Sequence, residues 1–318
     1  MHSIKDIVAE KYPEIVICDL DMIADIEQLS ENIKAWKNRN KFVFIYSIEN
    51  FENHERYIEE IRQNFDKWVF STPGHHPDKN HVSNLDYLTN LVSRPDQPIV
   101  RHDGDKKFDL LFLVGRLHQH RLLLLESLAT RNLLGKSLVS LQNPNKAYSH
   151  VLPESIELPA EYEWPELRRL GGFKNWKAQP GHSFNDAFMT VIGKLFPPVY
   201  RDSVCSVVSE TNIINKINYI TEKTWMPILA GHLFITQGNR GHVNFLESLG
   251  FQIKNDFIPY YDETNHDLIA DICSHICEQK SKHIYGHTEK QRTYNRNLAL
   301  DEARWSRYHS QQLMLALD

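Results

Sequence analysis

The sequence has no run of apolar residues long enough to cross a membrane. A membrane-spanning helix needs roughly 20 predominantly apolar residues, and residues 1–6 lack the apolar segment of a secretory signal. Cysteine is also scarce, and four cysteines in 318 residues are too few for a disulfide framework. These absences argue against an integral membrane protein and against a disulfide-stapled secreted domain. We therefore expect a cytoplasmic protein with buried thiols.

Several enzyme motifs are missing as well. The chain has no Gly-x-Ser-x-Gly, no Walker sequence and no Gly-x-Gly-x-x-Gly, which disfavours hydrolase, ATPase and dinucleotide-binding functions. The net charge of −5 argues against a general binder of nucleic acid backbones. With 41% hydrophobic and 24% charged residues, the composition is that of a folded protein. The length allows two domains, at roughly 100–200 residues per domain.

What the sequence does contain is two series of short apolar segments that alternate with helical patterns. Nearly all-apolar segments are typical of parallel strands covered on both faces, and helices are indicated where apolar residues recur every three or four positions. The first series predicts a strand, helix, strand, helix and strand at 15–18, 22–38, 42–46, 53–65 and 68–70. A polar, proline-containing linker is predicted over 93–107.

The second series predicts strands at 110–114, 137–141, 204–208 and 233–236, and helices at 120–129, after 222 and at 243–249. Residues 143–200 show no clear periodicity, and residues 292–317 predict one long helix. The pattern indicates an α/β protein with two Rossmann-like domains. We expect an N-terminal domain over 1–100, a C-terminal domain over 108–290 and a helix over 291–318 that can reach back across the first domain.

An acid and a base stand side by side at the predicted start of a helix between two strands, at Glu222 and Lys223. The carboxylate can accept hydrogen bonds from ribose hydroxyls, while the ammonium and the helix N-terminus can face a diphosphate. The alternative is a first-turn glutamate favoured by the helix dipole alone, with Thr221 as N-cap. A first-turn lysine is unfavourable for that dipole unless a bound anion offsets it, which favours the nucleotide hypothesis.

Residues 207–238 resemble the nucleotide-binding block of the α1,3-fucosyltransferase family and its relatives with the GT-B fold. In that block an acidic residue and Asn close one strand, and Tyr-(Val/Ile)-Thr-Glu-Lys opens the next helix. This chain reads Glu-Thr-Asn where fucosyltransferases tend to have Glu-Asn-Ser, and it is also similar to sugar transferases of bacterial polysaccharide and viral gene sets. The residues on the pattern are Glu210, Asn212, Tyr219, Thr221, Glu222 and Lys223.

A second resemblance lies upstream, at the turn between a strand and a helix. Residues 114–121 are similar to the turn whose arginine grips the donor phosphates in that family, with Arg121 at the matching position. Arg116, next to Gly115, is the alternative.

The resemblance implies a GT-B glycosyltransferase whose two domains face a cleft. It implies a nucleotide-sugar donor, with Glu222 on the ribose, Lys223 and Arg121 on the diphosphate, and Tyr219 against the base or ribose. It also implies transfer with inversion, although retention stays open, and no metal or other cofactor. The acceptor would be a glycan of a surface polysaccharide, a lipid-linked sugar or a modified base in viral DNA.

Direct displacement requires a general base for the acceptor hydroxyl. Glu49 follows the strand at 42–46, at a carboxyl end where ligand-facing residues lie in open α/β sheets. Asp19 and Asp21 follow the first strand and are placed equally well, and the histidines at 75–76 follow a third strand. Asp19 and Asp21 also mimic an Asp-x-Asp metal motif, but GT-B enzymes commonly use basic side chains and helix dipoles instead of a metal.

Other functions stay open at this point. A catalytically silent sugar-nucleotide-binding subunit would keep the donor site without a working base, and a sugar-nucleotide epimerase would use the same fold for different chemistry. The turn at 238–241 is either a phosphate cradle or an ordinary turn. Two cysteines and two histidines have a spacing compatible with zinc, namely Cys273, Cys277, His283 and His287.

Overall fold

The computed structural model describes residues 4–12, 15–20, 23, 25–37, 42–46, 55–72, 74–75, 81–83, 85, 102, 105–116, 118–142, 155–156, 199–211, 213 and 218–317. The chain forms two compact units. Unit 1 comprises Met1–Ser93, Ile214–Ile220 and Asp301–Asp318. Unit 2 comprises Arg94–Ile213 and Thr221–Leu300.

Unit 1 contains a parallel four-stranded sheet with helices in the connections. Its strands, in spatial order, are β1 (Val16–Asp19), β2 (Phe42–Tyr46), β3 (Lys67–Thr72) and β5 (His81–Ser83). Its helices are α1 (Ile4–Lys11), α2 (Ile26–Lys37), α3 (Glu55–Asn64) and α10 (Glu302–Leu317). A separate antiparallel pair joins β4 (Gly74–His75) to β10 (Asn218–Tyr219).

The alternation of side chains along β2 explains how both faces of this sheet are covered. Val43 and Ile45 lie in one apolar cluster with Leu29 of α2 and Ile61 of α3. Phe44, the residue between them, lies in another cluster. Successive side chains of a strand point to opposite faces, so a run that is apolar at every position requires cover on both. The partners of Phe44 in the second cluster include Val8 of α1, Val69 of β3 and Leu313 of α10.

Unit 2 contains a five-stranded sheet in which only the last strand is antiparallel. In spatial order the strands are β11 (Leu233–Gln237), β9 (Ser203–Ser209), β6 (Phe108–Arg116), β7 (Ser137–Gln142) and β8 (Ser155–Ile156). The helices are α4 (Gln119–Thr130), α5 (Val199–Asp202), α6 (Glu222–Leu229), α7 (His242–Ser248), α8 (His266–Glu278) and α9 (Ser281–Ala299).

The order of these strands creates a topological switch point. From β6 the chain continues to β7 on one side, whereas from β9, the other neighbour of β6, it continues to β11 in the opposite direction. The connections that leave β6 and β9 therefore diverge. In open α/β sheets such a divergence opens a crevice outside the carboxyl ends of the two strands, where ligands bind.

The structure confirms the α/β class and the predicted parallel strands. One predicted element differs, because the continuous helix expected over 292–317 is two helices, α9 and α10, with Leu300 and Asp301 between them. Most of 143–200 lies outside the described residues. In the described part of the chain no helix is long and apolar enough to cross a membrane. The domain arrangement specific to GT-B stays a prediction.

Candidate functional site

The backbone at the carboxyl end of β9 is held by contacts from two neighbouring elements. Glu210, the first residue after the strand, donates its N–H to the Gln237 carbonyl at 2.9 Å. Its own carbonyl accepts from Arg121 Nη2 at 3.2 Å and lies 3.0 Å from His120 Nε2. The end of β9 is thereby tied to β11 and to the start of α4, at the switch point.

The Glu210 side chain is 1% exposed and points at the start of α6. Its carboxylate accepts from the Thr221 N–H at 3.1 Å, from the Thr221 hydroxyl, and from the Thr224 hydroxyl at 2.6 Å. A buried carboxylate is stabilised by several donors and by the positive end of a helix dipole. Glu210 therefore fixes the first turn of α6, and the direct substrate contact expected for it stays a prediction.

The first turn of α6 brings the predicted acid and base into contact. Thr221 is the N-cap, with extended backbone (φ −99°, ψ 178°), and its hydroxyl accepts from the Lys223 N–H at 3.3 Å. Lys223 Nζ forms an ion pair with Glu222 Oε1 and donates to Thr211 Oγ1 at 3.4 Å. The side chains of Glu222 and Lys223 are 23% and 24% exposed. Both charged groups are thus partly open to solvent at the carboxyl edge of the sheet.

The other end of α6 is capped by basic side chains. Gly231, in the left-handed region at φ 60°, follows the last turn, a position that favours glycine. Arg292 Nη1 donates to the Gly231 carbonyl at 2.7 Å, and Arg296 Nε donates to the Leu229 carbonyl at 2.9 Å. His102 Nε2 lies 2.9 Å from the carbonyl oxygen of Ala230. The short helix therefore has a carboxylate at its amino end and cations at its carboxyl end, as its dipole favours.

Arg121 is 3% exposed and directs its guanidinium at backbone. Its Nη2 donates to the Ser209 carbonyl at 3.3 Å as well as to that of Glu210. Burial lowers the pKa of Arg121 overall, although the nearby charges of Glu210 and Glu222 oppose this effect. These contacts give Arg121 a part in holding the end of β9, while its predicted contact with donor phosphates stays a prediction.

Two histidines lie at the start of α4, next to this site. Burial is the main cause that lowers the pKa of His120 to about 4; the charges of Arg121 and His118 add to it, and the hydrogen bond to the Glu210 carbonyl opposes it. The rings of His118 and His120 are stacked, with centroids 5.7 Å apart. His120 is therefore neutral near pH 7. Its position at the start of α4, next to Arg121, was the signal available in the sequence.

The turn at 238–241, at the end of β11, is occupied by a protein carboxylate. Glu263 accepts from the Gly241 N–H through its side chain and from the Gly238 N–H through its carbonyl, the latter at 3.1 Å. These contacts favour an ordinary turn over a phosphate cradle. His242, 1% exposed, follows the turn, and burial lowers its pKa while the charges of Glu210 and Glu263 raise it. No sequence pattern pointed to this residue.

The remaining predicted site residues are distributed over both units. Gly115 and Arg116 end β6, where the register with β7 shifts. In unit 1, Asp19 is the last residue of β1 and Tyr219 the last of β10. Glu49 and Asn212 lie outside the described residues, as does Asp21.

No group of three or more His, Cys, Asp or Glu side chains that could hold a metal is present among the described residues. The four-ligand zinc hypothesis is therefore not supported. Cys273 is buried on α8, and burial raises its pKa, which disfavours the thiolate that zinc requires.

Comparison of the chain with protein-family models, curated proteins and solved structures finds no match. The assignment of function rests on the residues and geometry of the site.

Proposed function

We propose that this protein is a glycosyltransferase that takes its sugar from a nucleotide-sugar donor. The observation that carries the proposal is the Glu222–Lys223 contact in the first turn of α6, at the carboxyl edge of a parallel sheet. A lysine in the first turn of a helix opposes the dipole. A bound diphosphate would compensate both the lysine and the helix N-terminus.

The two charged groups would divide the donor between them. The Lys223 ammonium, a mobile point charge, would face the diphosphate together with the amides of the first turn. The Glu222 carboxylate would accept hydrogen bonds from the ribose hydroxyls. In the free protein the ammonium and the carboxylate are paired with each other. Donor binding would therefore replace this ion pair with contacts to the diphosphate and to the ribose.

Transfer would follow as a direct displacement. The acceptor hydroxyl oxygen forms a bond to the anomeric carbon, the bond from that carbon to the phosphate oxygen breaks, and the acceptor proton passes to a protein carboxylate. The leaving nucleoside diphosphate gains negative charge, which the Lys223 ammonium and the start of α6 would stabilise. Asp19 and Glu49 are the candidate bases. The chemistry as proposed requires no metal or other cofactor.

The first test is calorimetric titration of the full chain with UDP, GDP, ADP, CDP and CMP. We expect one nucleotide to bind, and we expect Glu222→Ala and Lys223→Ala each to weaken it at least tenfold, which corresponds to about 1.4 kcal/mol. Lys254→Ala is the matched control, because Lys254 Nζ likewise forms an ion pair with a glutamate, 2.8 Å from Glu247 Oε2, and neither residue belongs to the predicted donor site. Absence of binding by the folded wild-type chain would contradict the proposal.

A second experiment separates transfer from the two alternatives. The donor sugar nucleotide is incubated with the protein alone and with a panel of glycan, lipid-linked and nucleobase acceptors, and the products are identified by mass spectrometry and chromatography. Glycosyl transfer predicts release of the nucleoside diphosphate that depends on the acceptor. An altered sugar nucleotide without acceptor would indicate an epimerase, and donor binding without turnover would indicate a binding subunit.

A further inference from the structure

Helix α9 presents two histidines on one exposed face, far along the chain from the proposed donor site. His283 and His287 are both exposed and one turn apart. Side chains four residues apart on a helix are neighbours, and here the ring centroids are separated by 4.1 Å. Two imidazoles bound to one tetrahedral ion, at metal–nitrogen lengths near 2.0–2.1 Å, have centroids roughly 5 Å apart. The observed separation is shorter, so a small outward rotation of the two exposed rings would complete such a pair.

The contacts around the rings leave ligand nitrogens available. His287 Nδ1 lies 3.0 Å from the His283 carbonyl oxygen. A carbonyl only accepts, so Nδ1 carries the hydrogen and Nε2 keeps its lone pair, the arrangement common in metal-binding histidines. No hydrogen bond from the described part of the chain engages the His283 ring nitrogens. Phe257 packs edge-on against both rings, at 5.6 Å and 6.2 Å, which restricts their orientation.

A surface pocket of about 490 Å³ lies over this face of α9. Its lining residues are Lys280, Lys282, His283, Gly286 and His287. A Cβ at Gly286 would meet nothing within 4 Å, so the helix surface beside the two histidines is open. The two lysines oppose a cation, and an affinity below that of a structural metal site is expected.

We propose that His283 and His287 together chelate a divalent transition-metal ion of the kind that imidazole favours, with Zn²⁺ as the ion to test, and that water completes its coordination. This site differs from the four-ligand hypothesis because it uses no cysteine. It is independent of the proposed donor site. The ion would connect successive turns of α9, the helix that supplies Arg292 and Arg296 to the end of α6, and would therefore stabilise the native chain.

The experiment is calorimetric titration of the tag-free full chain with ZnCl₂, for the wild type, His283→Gln, His287→Gln and the control His275→Gln. His275 is an exposed histidine on α8 without a second histidine one turn away. We expect one saturable site in the wild type and in the control, and at least a tenfold loss of affinity in each of the other variants. Thermal unfolding should show a rise in Tm with Zn²⁺ in the wild type and in His275→Gln only.

Far-ultraviolet circular dichroism confirms that each variant is folded before titration. Equal Zn²⁺ affinity in the wild type and in His283→Gln or His287→Gln would overturn the proposal, as would absence of binding by the wild type at millimolar Zn²⁺. A loss in His275→Gln equal to that in the other two variants would also overturn it, because it would indicate nonspecific binding to surface histidines.

Discussion

At Gly238 the backbone closely approaches a buried side chain. A Cβ added there would lie 2.8 Å from Cγ and 2.9 Å from Cβ of His242, a residue that is 1% exposed. The imidazole is enclosed and cannot swing into solvent. The turn after β11 therefore requires glycine at position 238 for lack of space, and not because of a positive φ.

We predict that Gly238→Ala lowers the free energy of unfolding by about 1–3 kcal/mol, the usual cost of forcing extra atoms into a packed interior. Gly286→Ala is the matched control. It lies inside α9, where an added Cβ meets nothing, and it should raise the free energy of unfolding by about 0.5–1 kcal/mol through helix propensity. Urea denaturation of both variants measures the difference. Equal effects of the two substitutions would show that His242 yields to the new methyl group.

Helix α6 is short and is held at both ends by side chains from outside it. Eight residues are too few for an isolated helix to be stable in water, so its order depends on these contacts. Glu210 holds the amino end, and Arg292 and Arg296 hold the carboxyl end. The order of the first turn, which carries Glu222 and Lys223, therefore depends on the Glu210 contacts.

We predict that Glu210→Gln accelerates amide hydrogen exchange in the first turn of α6 and lowers the free energy of unfolding by about 1–3 kcal/mol, because the amide group of glutamine cannot accept from all three donors. Mass spectrometry of the exchanged chain measures the effect without any ligand. Glu247→Gln, which alters an exposed ion pair, serves as the control. Unchanged amide hydrogen exchange over residues 221–225 would show that the Glu210 contacts do not order the first turn of α6.

For the molecule as a whole, buried neutral histidines set the response to acid. Burial lowers the pKa of His309 in unit 1 to about 4, and burial, with smaller effects of nearby charges, lowers that of His120 in unit 2 to about 4. Burial and the charge of His102 lower the pKa of His232 well below its usual value. In the unfolded chain these groups titrate near 6.5. The unfolded state thus binds more protons between about pH 6.5 and pH 4.

We therefore predict that the free energy of unfolding is greatest above pH 6.5 and falls as the pH is lowered through 4. Urea denaturation at pH 7.5, 6.0, 5.0 and 4.5 measures the dependence. His309→Gln should reduce its slope, since one of the groups is removed, whereas His275→Gln, at an exposed position, should leave it unchanged. An identical slope in His309→Gln and the wild type would show that His309 does not titrate differently in the folded and unfolded chains.

Elements specified by neighbouring residues could be predicted from the sequence, whereas contacts between residues distant in sequence could not. The strands around Val43 and Val207 were predictable because strands covered on both faces are nearly all apolar, and Ser206 is the one polar residue within 204–208. The start of α6 was predictable because Thr221 and Glu222 are its N-terminal signals. The caps from Arg292 and Arg296, and the contacts of Glu263, were not predictable, because their partners are distant in sequence. The end of α9 was also missed, since apolar residues continue through it at helical spacing.

Unit 1 has a consequence for synthesis of the chain on the ribosome. Its strands are translated first, yet the Leu85 N–H donates to His309 Nε2 across 224 residues, and Leu313 covers the face that contains Phe44. All of unit 2 is translated before α10 emerges. Because domains generally fold as the chain emerges, unit 2 can be complete while unit 1 still has an uncovered apolar face. We therefore expect unit 1, whose parallel strands are translated first, to finish folding last, with an apolar face that a chaperone can bind until α10 is released.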